Sequence, residues 1–329
     1  MATHNGAQYL QDQLNSFLDQ SVMPDELVVV EDFSSDQTGE ILNRFKQKAP
    51  FAVHLIQNEG NIGSTKSFEK GLKSATGNII FFSDQDDVWL RNKIELFLIE
   101  FANNKEIDLL FSDAAIVNAH MKPLGYNLWA HVGLTGKKQR ILQSPKAFEV
   151  LNQQLTVTGA TMAIRKRLKN IIFPIPAEWV HDAWISLLAA ATSHIKPVNE
   201  QFLLYRQHSS QQIGALEYQR RKIGWELLAT LYRANFRKSE MLANVSKTLQ
   251  QCTLLSEKLE LLEFPNKMEV LSLLHEKKRW LEKRIFLSKQ PRLFRLFPLA
   301  KGFLRGYFHF CDWAGWGWRG FILDLLASP

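Results

Sequence analysis

The chain has 329 residues, 46% of them hydrophobic and 22% charged, with a formal net charge of +7. That balance is ordinary for a globular protein and excludes disordered, collagen-like and low-complexity classes. Its two cysteines, Cys252 and Cys311, cannot build a disulfide framework and lack metal-ligand spacing.

At about 100–200 residues per domain, the length suggests two domains or one large domain with an appendage. Residues 1–20 are polar with no apolar core, and no run of about 18 apolar residues occurs anywhere, so neither a secretory signal nor a membrane span is expected. The expected location is the cytoplasm. The charge is uneven: residues 217–329 carry 20 Lys and Arg against 11 Asp and Glu, whereas residues 1–216 carry 20 against 22. A basic back half suits an anionic membrane, a nucleic acid or a solvated surface.

The first half alternates strand and helix patterns. Tyr9–Leu18 has helical spacing; Leu27–Val30 is a continuous apolar, β-branched run, as in a buried parallel strand. Helix Thr38–Lys48, strand Ala52–Ile56, helix Ser64–Ser74, strand Asn78–Ser83 and helix Arg91–Asn103 follow. Leu109–Val117 and Thr156–Ile164 read as further strands. This alternation predicts an α/β domain with a parallel sheet between helices, and ligands bind such sheets beyond the carboxyl ends of the strands.

At those ends stand Glu31-Asp32-Phe33-Ser34-Ser35-Asp36 and Asp84-Gln85-Asp86-Asp87. Ser35 or Asp36 suits a helix cap. Three carboxylates within four residues repel one another unless a cation or a hydrogen-bonding ligand compensates them. Asp84-x-Asp86 therefore points to Mg²⁺ or Mn²⁺ carrying a diphosphate.

Downstream, His181-Asp182 opens a helix over Ala183–Thr192, and Gln201–Arg206 reads as a strand ending at His208. Asp182 is either a dipole-favoured helix-start carboxylate or a general base. Trp179 and Trp184 flank it as candidate sugar-stacking faces. His208 is equally a structural histidine or a ligand; His4, His54, His131 and His194 read as structural. Gly60 and Gly63 either turn the chain or let backbone approach a phosphate, and Gly159-Ala160-Thr161 leaves room for an acceptor or for packing.

Residues 217 to about 289 are helical in pattern, with Pro265 separating two helices. From Pro291 the chain interleaves Phe294, Phe297, Phe303, Tyr307, Phe308, Phe310, Trp313, Trp316, Trp318 and Phe321 with Arg and Lys. That mixture fits a segment lying in a membrane interface, or a helical hairpin packed on the main domain.

Thr3–Gly6 (THNG), Val28–Thr38 (VVVEDFSSDQT), Asn58–Leu72 (NEGNIGSTKSFEKGL) and Phe81–Trp89 (FFSDQDDVW) together resemble family 2 glycosyltransferases of the GT-A fold. Thr158–Leu168, His181–Ala190 and Tyr205–His208 extend the likeness to the rhamnosyltransferase-like branch, over roughly the first two-thirds of the chain. The resemblance implies a Rossmann-like, mixed and mainly parallel sheet flanked by helices. It implies residues 1–215 as the nucleotide-sugar-binding and catalytic domain, with residues 216–329 a basic helical extension.

It also implies site roles. Thr3 and Asn5 would line the nucleotide pocket, Asp32 beside Glu31 would accept from the base, and Asp84 would face the ribose. Asp86, with His208, would hold Mn²⁺ or Mg²⁺ on the diphosphate. Lys66 would face the diphosphate, and Trp89 would belong to the substrate site with Trp179 and Trp184. Asp182 would be the general base of an inverting transfer. The implied donor is dTDP-rhamnose or a UDP-hexose. The implied acceptor is a glycan or lipid-linked oligosaccharide of bacterial surface polysaccharide assembly, met at the inner face of the membrane.

Family members carry a full apolar strand before the segment matching Ala2–Gly6. The expectation is therefore that the true start lies upstream and that Met1 is internal to that strand. A competing reading is a non-catalytic sugar-nucleotide-binding or polysaccharide-assembly protein. Nucleic-acid binding by the tail is disfavoured, because its charges are mixed and no such motif occurs.

Overall fold

The computed structural model describes residues 1–209, 238–305, 307, 321, 324 and 325. Its described residues form two compact units, one of residues 1–147 and 156–209, the other of residues 148–155 and 238 onward.

The first unit opens with strand β1 (Ala2–Thr3), helix α1 (Ala7–Leu18), β2 (Glu26–Glu31), α2 (Thr38–Lys48), β3 (Ala52–Gln57) and α3 (Ser64–Ser74). Strands β1, β2 and β3 pair in that order, all parallel, with Ala2 opposite Val30 and Leu27 opposite Val53. Val29 and Val30 are fully buried. Against this sheet α1 turns Leu10, Leu14 and Phe17, spaced at three and four residues, and α2 turns Ile41, Leu42 and Phe45 into one cluster.

The ends of both helices meet at Asp36. Its carboxylate accepts the N–H of Ala7 at 3.0 Å and that of Thr38 at 3.0 Å, and the Thr38 hydroxyl accepts the N–H of Gly6 at 2.8 Å. Burial pushes the Asp36 carboxyl up, but the bonds from Thr38 and Ala7 outweigh it and leave it below the usual range. Asp36 thus satisfies the first N–H of both helices, although the N-cap positions themselves are Gly6 and Gln37.

A second, mixed sheet follows: β4 (Ile79–Phe81), β5 (Val88–Trp89), β6 (Ile107–Asn118), β7 (Pro123–Asn127), β8 (Met162–Arg165) and β9 (His194–Gln207). The order is β4-β8-β6-β9-β5, with β7 on β6. Only the β6–β9 pair is parallel; the others are antiparallel. Helices α4 (Lys93–Asn103) and α9 (His181–Thr192) are its longer helices, with three short ones, α5 (Leu128–His131), α6 (Gly136–Leu142) and α8 (Lys169–Ile172), between them along the chain; α7 (Ala147–Gln153) belongs, but for its first residue, to the second unit. Phe97 and Phe101 of α4 pack with Leu110, Ala163 and Phe202.

Several boundaries differ from the periodicity. The run Thr156–Ile164 is a strand only from Met162, because Gly159–Thr161 form a 3-10 turn. The strand read over Gln201–Arg206 begins at His194, and that read over Asn78–Ser83 shrinks to Ile79–Phe81.

In the second unit α10 (Lys238–Glu260) and α11 (Lys267–Leu287) join through Val245, Cys252 and Leu281. Helix α12 (Arg292–Leu304) meets α11 at Trp280, Leu287 and Leu299. Among the described residues no helix is long and apolar enough to cross a membrane. Residues 217–237 and Phe308, Phe310, Trp313, Trp316 and Trp318 of the aromatic tail lie outside the described residues.

Candidate active site

The carboxyl ends of β1, β2 and β4 converge. After β1, His4 bridges to the end of β2: its Nδ1 donates to the Asp32 carbonyl at 2.8 Å, since a carbonyl can only accept. Nε2 is then left to accept from the amides of Asn5 and Asn61, each at 3.2 Å. His4 is thus held by bonds on both ring nitrogens, a structural role. Asn5 stands at φ 46 and its Oδ1 accepts the N–H of Ser35 at 2.9 Å. Thr3 is buried, and its hydroxyl donates to the Val30 carbonyl at 3.4 Å.

Asp32 is buried and heavily bonded. Its Oδ1 accepts from Asn58 Nδ2 and Ile62 N–H, and its Oδ2 from Gly63 N–H, all at 2.9 Å. The NEGNIG loop thus closes on Asp32, with Gly63 at φ 84, a conformation that favours glycine. Glu31 accepts the N–H of Ser34 at 2.7 Å.

The DQDD loop after β4 brings the acidic groups together. Burial first, then the carboxylates of Asp86 and Asp182, push the Asp84 carboxyl up to about 7. Asp87 is buried and raised well above its ordinary range by burial, Asp86 and Asp84. The buried Tyr205 phenol is also raised, by burial and then by Asp87, Asp84, Asp86 and Asp182. Four carboxylates therefore share one neighbourhood, although 95 residues separate Asp182 from Asp87 in the chain.

Asp86 and His208 meet directly, with Oδ2 and Nε2 2.9 Å apart. The Tyr9 ring lies tilted against His208, with ring centroids 4.4 Å apart and planes at 38°. Among the described residues no three His, Cys, Asp or Glu side chains form a cage for a metal ion. An oxygen and a nitrogen donor beside further acidic groups nevertheless fit a divalent cation whose remaining ligands are phosphate and water.

At the start of α9, Asp182 accepts the N–H of Gly159 at 2.9 Å and that of Ala183 at 2.7 Å. Beside it His181 is buried and stacked on Phe68 with ring centroids 3.8 Å apart. Burial depresses its pKa, so the ring stays neutral.

Four expected substrate contacts need correction. Trp184 is 1% exposed and its indole N–H donates to the Ile172 carbonyl at 2.8 Å, so it has no free face for a sugar. Trp179 is buried against it, with ring centroids 5.9 Å apart. Trp89 lies in the core, edge-on to Phe17 at 4.9 Å. Lys66 does not serve as a free cation: its amine bonds Glu69 at 2.7 Å and the Ile175 carbonyl at 2.5 Å. Large aromatics gain more by full burial than by lining a wet cleft, and Glu69, one turn along α3, competes for the Lys66 amine.

Two basic residues escaped sequence reasoning. Arg206 is buried; its Nε donates to the Asp86 carbonyl at 2.7 Å, Nη1 to the Ala119 carbonyl at 3.1 Å and Nη2 to Asp12 at 2.8 Å. Its own N–H donates to Asp87 at 3.0 Å. Lys93 is fully buried, 2.7 Å from the Ala160 carbonyl and 4.0 Å over the Trp89 ring. A signal for Lys93 was present: it precedes Phe97 and Phe101 by four and eight residues, on the stripe that α4 buries.

Comparisons with known proteins give the family and the fold. The model of the family described as glycosyl transferase family 2 matches residues 1–170. An uncharacterized glycosyltransferase of Nostoc, alr2836, is 26% identical over 221 residues, covering 64% of this chain and 64% of that protein. The chain thus spans just under two thirds of that relative's length. The Shigella flexneri dTDP-rhamnosyl transferase RfbG is 27% identical over 229 residues, 65% of this chain and 74% of that one. In fold, the chain resembles residues 1–349 of Staphylococcus aureus TarS in complex with UDP-GlcNAc. The TM-score is 0.55 at 16% identity, over 98% of this chain and 87% of that one. With more than half of its length matched by the family model, and with the fold of these transferases, the chain belongs to glycosyl transferase family 2.

Proposed function

We propose that the protein transfers a sugar from a nucleoside diphosphate donor to a hydroxyl of a glycan or lipid-linked acceptor, with inversion at the anomeric carbon. The observation that carries this reading is the packing of the start of α9 on the segment before the acidic loop. His181, next to Asp182, stacks on Phe82, two residues before Asp84, with ring centroids 5.8 Å apart. Burial first, then the charges of Asp86 and Asp182, raise the Asp84 carboxyl. A base beside a diphosphate-binding acidic loop is the arrangement that single-displacement transfer needs.

In this reading Asp182 takes the proton of the acceptor hydroxyl. The hydroxyl oxygen forms a bond to the anomeric carbon as the bond from that carbon to the diphosphate oxygen breaks. The N–H groups of Gly159 and Ala183 hold the Asp182 carboxylate in place and leave lone pairs for the incoming proton. Asp86 and His208 would hold Mg²⁺ or Mn²⁺, which when bound offsets the charge of the departing diphosphate. The loops carrying Asn5, Asp32 and Asn58–Gly63 would shape the nucleoside pocket. Asp32 would orient that loop through its three bonds and keep lone pairs for the base.

The similarity to RfbG supports dTDP-rhamnose as a donor, and the UDP-GlcNAc held by TarS supports a UDP sugar. An acceptor in bacterial surface polysaccharide assembly, carried on lipid at the cytoplasmic face of the membrane, fits both this reading and the basic C-terminal unit. Residues 1–215 would carry the transfer and residues 216–329 the extension.

The test is thermal shift with UDP, GDP and dTDP sugars, each with and without Mn²⁺, on the wild type and Asp86→Ala. The reading expects a metal-dependent rise with one nucleotide, lost in the variant. No rise with any nucleotide would overturn it.

A further inference from the structure

Helix α12 is amphipathic in the wrong sense for a helix at a water surface. At 100° per residue, Arg295, Leu299 and Gly302 share one face and are buried. Leu293, Phe294, Phe297 and Leu304 share the opposite face and are 88%, 72%, 78% and 85% exposed. Arg295 points in, while the large apolar residues point out.

The inward face is held by specific bonds. Arg295 donates to the carbonyls of Gln290 at 2.7 Å, Ser288 at 3.1 Å and Asp324 at 3.2 Å. The Asp324 carboxylate pairs with Arg284 at 2.5 and 2.9 Å. At Gly302 a Cβ would lie 1.9 Å from Trp280, so α12 meets α11 more closely than any side chain permits. These contacts prevent the helix from rolling its apolar stripe inward.

Charge names the partner. Residues 283–311 contain seven Lys and Arg and no Asp or Glu; Arg284 and Arg295 are buried and bonded inward, so the cations this face can offer are others. Lys301 lies on the apolar stripe itself, exposed, and Lys289 is exposed just before the helix. Apolar side chains flanked by cations, with no acid near them in sequence, match the boundary between anionic headgroups and acyl chains.

We propose that the outward face of α12 docks on an anionic lipid bilayer, seating Leu293, Phe294, Phe297 and Leu304 among the acyl chains and Lys289 and Lys301 among the headgroups. It deepens the transferase reading, on which it rests for its biological sense, by naming the surface that would bring the enzyme to a lipid-linked acceptor. The inserted stripe is shallow, so the protein lies on the membrane and does not span it through this helix.

The experiment is vesicle flotation of the full chain, using phosphatidylcholine alone and phosphatidylcholine mixed with phosphatidylglycerol, with no donor or acceptor present. The expected result is binding to the anionic vesicles that weakens as salt rises. Phe294→Ser/Phe297→Ser should lower it about tenfold or more, by loss of buried apolar area. Lys289→Glu/Lys301→Glu should lower it several-fold and remove the salt dependence. An unchanged melting temperature certifies each variant, and the charge variant carries the test if the serine variant does not fold. Equal binding by wild type and variants, or no flotation with either vesicle, would overturn the proposal. So would a concentration-dependent dimer, abolished by Phe294→Ser/Phe297→Ser, in a chain that ignores vesicles. A chain that floats yet shows no nucleotide-dependent thermal shift would sink the transferase reading and leave the docking surface standing; the converse result would do the reverse.

Discussion

Gln85 grips the backbone of His4 from both sides: its Oε1 accepts the His4 N–H at 2.9 Å and its Nε2 donates to the His4 carbonyl at 3.0 Å. One side-chain amide thus fastens the loop carrying Asp84 and Asp86 to the turn that follows β1. The grip needs glycine at position 6, where a Cβ would lie 2.2 Å from Gln85 Oε1.

Gln85→Ala should therefore cost about 1–2 kcal/mol of stability, for two hydrogen bonds that are partly exposed. Gly6→Ala should cost a similar amount alone and clearly less in the Gln85→Ala background, because the clash is with that side chain. Denaturant unfolding of the two single variants and the double variant reads the coupling. Additive effects would contradict the geometry.

Gly159 stands in the same relation to the proposed base. A Cβ there would lie 2.8 Å from His181 Nε2 and 3.4 Å from Asp182 Cβ, and neither the stacked imidazole nor the start of α9 can yield easily. Gly159→Ala should lower kcat while donor binding by thermal shift stays near wild type. Asp182→Asn should lower kcat about 100- to 10,000-fold with donor binding retained. A fall in donor affinity equal to the fall in kcat would instead place Asp182 in nucleotide binding.

Arg206 ties the β9 end to the Asp84–Asp87 loop, to the turn after β6 and to Asp12 of α1. Arg206→Lys keeps the charge but loses the planar fork that serves the Asp86 and Ala119 carbonyls and Asp12 together. It should destabilise the fold by about 2–4 kcal/mol, as for other broken buried charge networks. Asp12→Ala should cost no more than about 1 kcal/mol, because its side chain is half exposed to solvent. Urea midpoints would separate the two; similar losses would mean that Asp12 carries the network.

Lys93 predicts a pH dependence. Burial depresses its pKa from 10.5 to about 7, with Asp87 and Asp84 opposing the drop. Between those values the unfolded chain binds a proton that the folded chain does not, so Lys93 makes stability rise with pH from about 7 towards 10. The slope it adds is at most about 1.4 kcal/mol per pH unit. Lys93→Met keeps the apolar stem beside Trp89 and should flatten that rise. Unfolding free energies measured at several pH values check it; an unchanged profile would mean that the amine is charged in the folded state.

Much of the first unit was legible because its signals are local. Leu27–Val30 can only be a buried strand, and Thr38–Lys48 and Ser64–Ser74 carry helical spacing within one segment. The acidic loops at two strand ends are also local, and the topology of an α/β sheet places such ends together. Asp36 as an acceptor for helix-start N–H groups followed from residue type.

Burial was less legible, because it depends on what the rest of the chain brings. Trp89, Trp179 and Trp184 carry the same composition whether they line a cleft or fill a core, and packing settled the matter for the core. Lys66 went to Glu69, and Lys93 and Arg206 entered the interior only because Ala160, Asp86, Ala119 and Asp12 were there to receive their protons. The strand over Thr156–Ile164 gave way to a 3-10 turn where Gly159 passes His181.

From sequence alone came the family, the α/β class and the residues able to bind a diphosphate or accept a proton, since each follows from side-chain chemistry and short-range periodicity. Only tertiary structure decided that Asp84 is buried within reach of the charges of Asp86 and Asp182, that Asp86 meets His208, and that α12 turns Arg295 inward. Those facts depend on distances between segments far apart in the chain, and such distances are set by sheet register and packing, which no local pattern encodes.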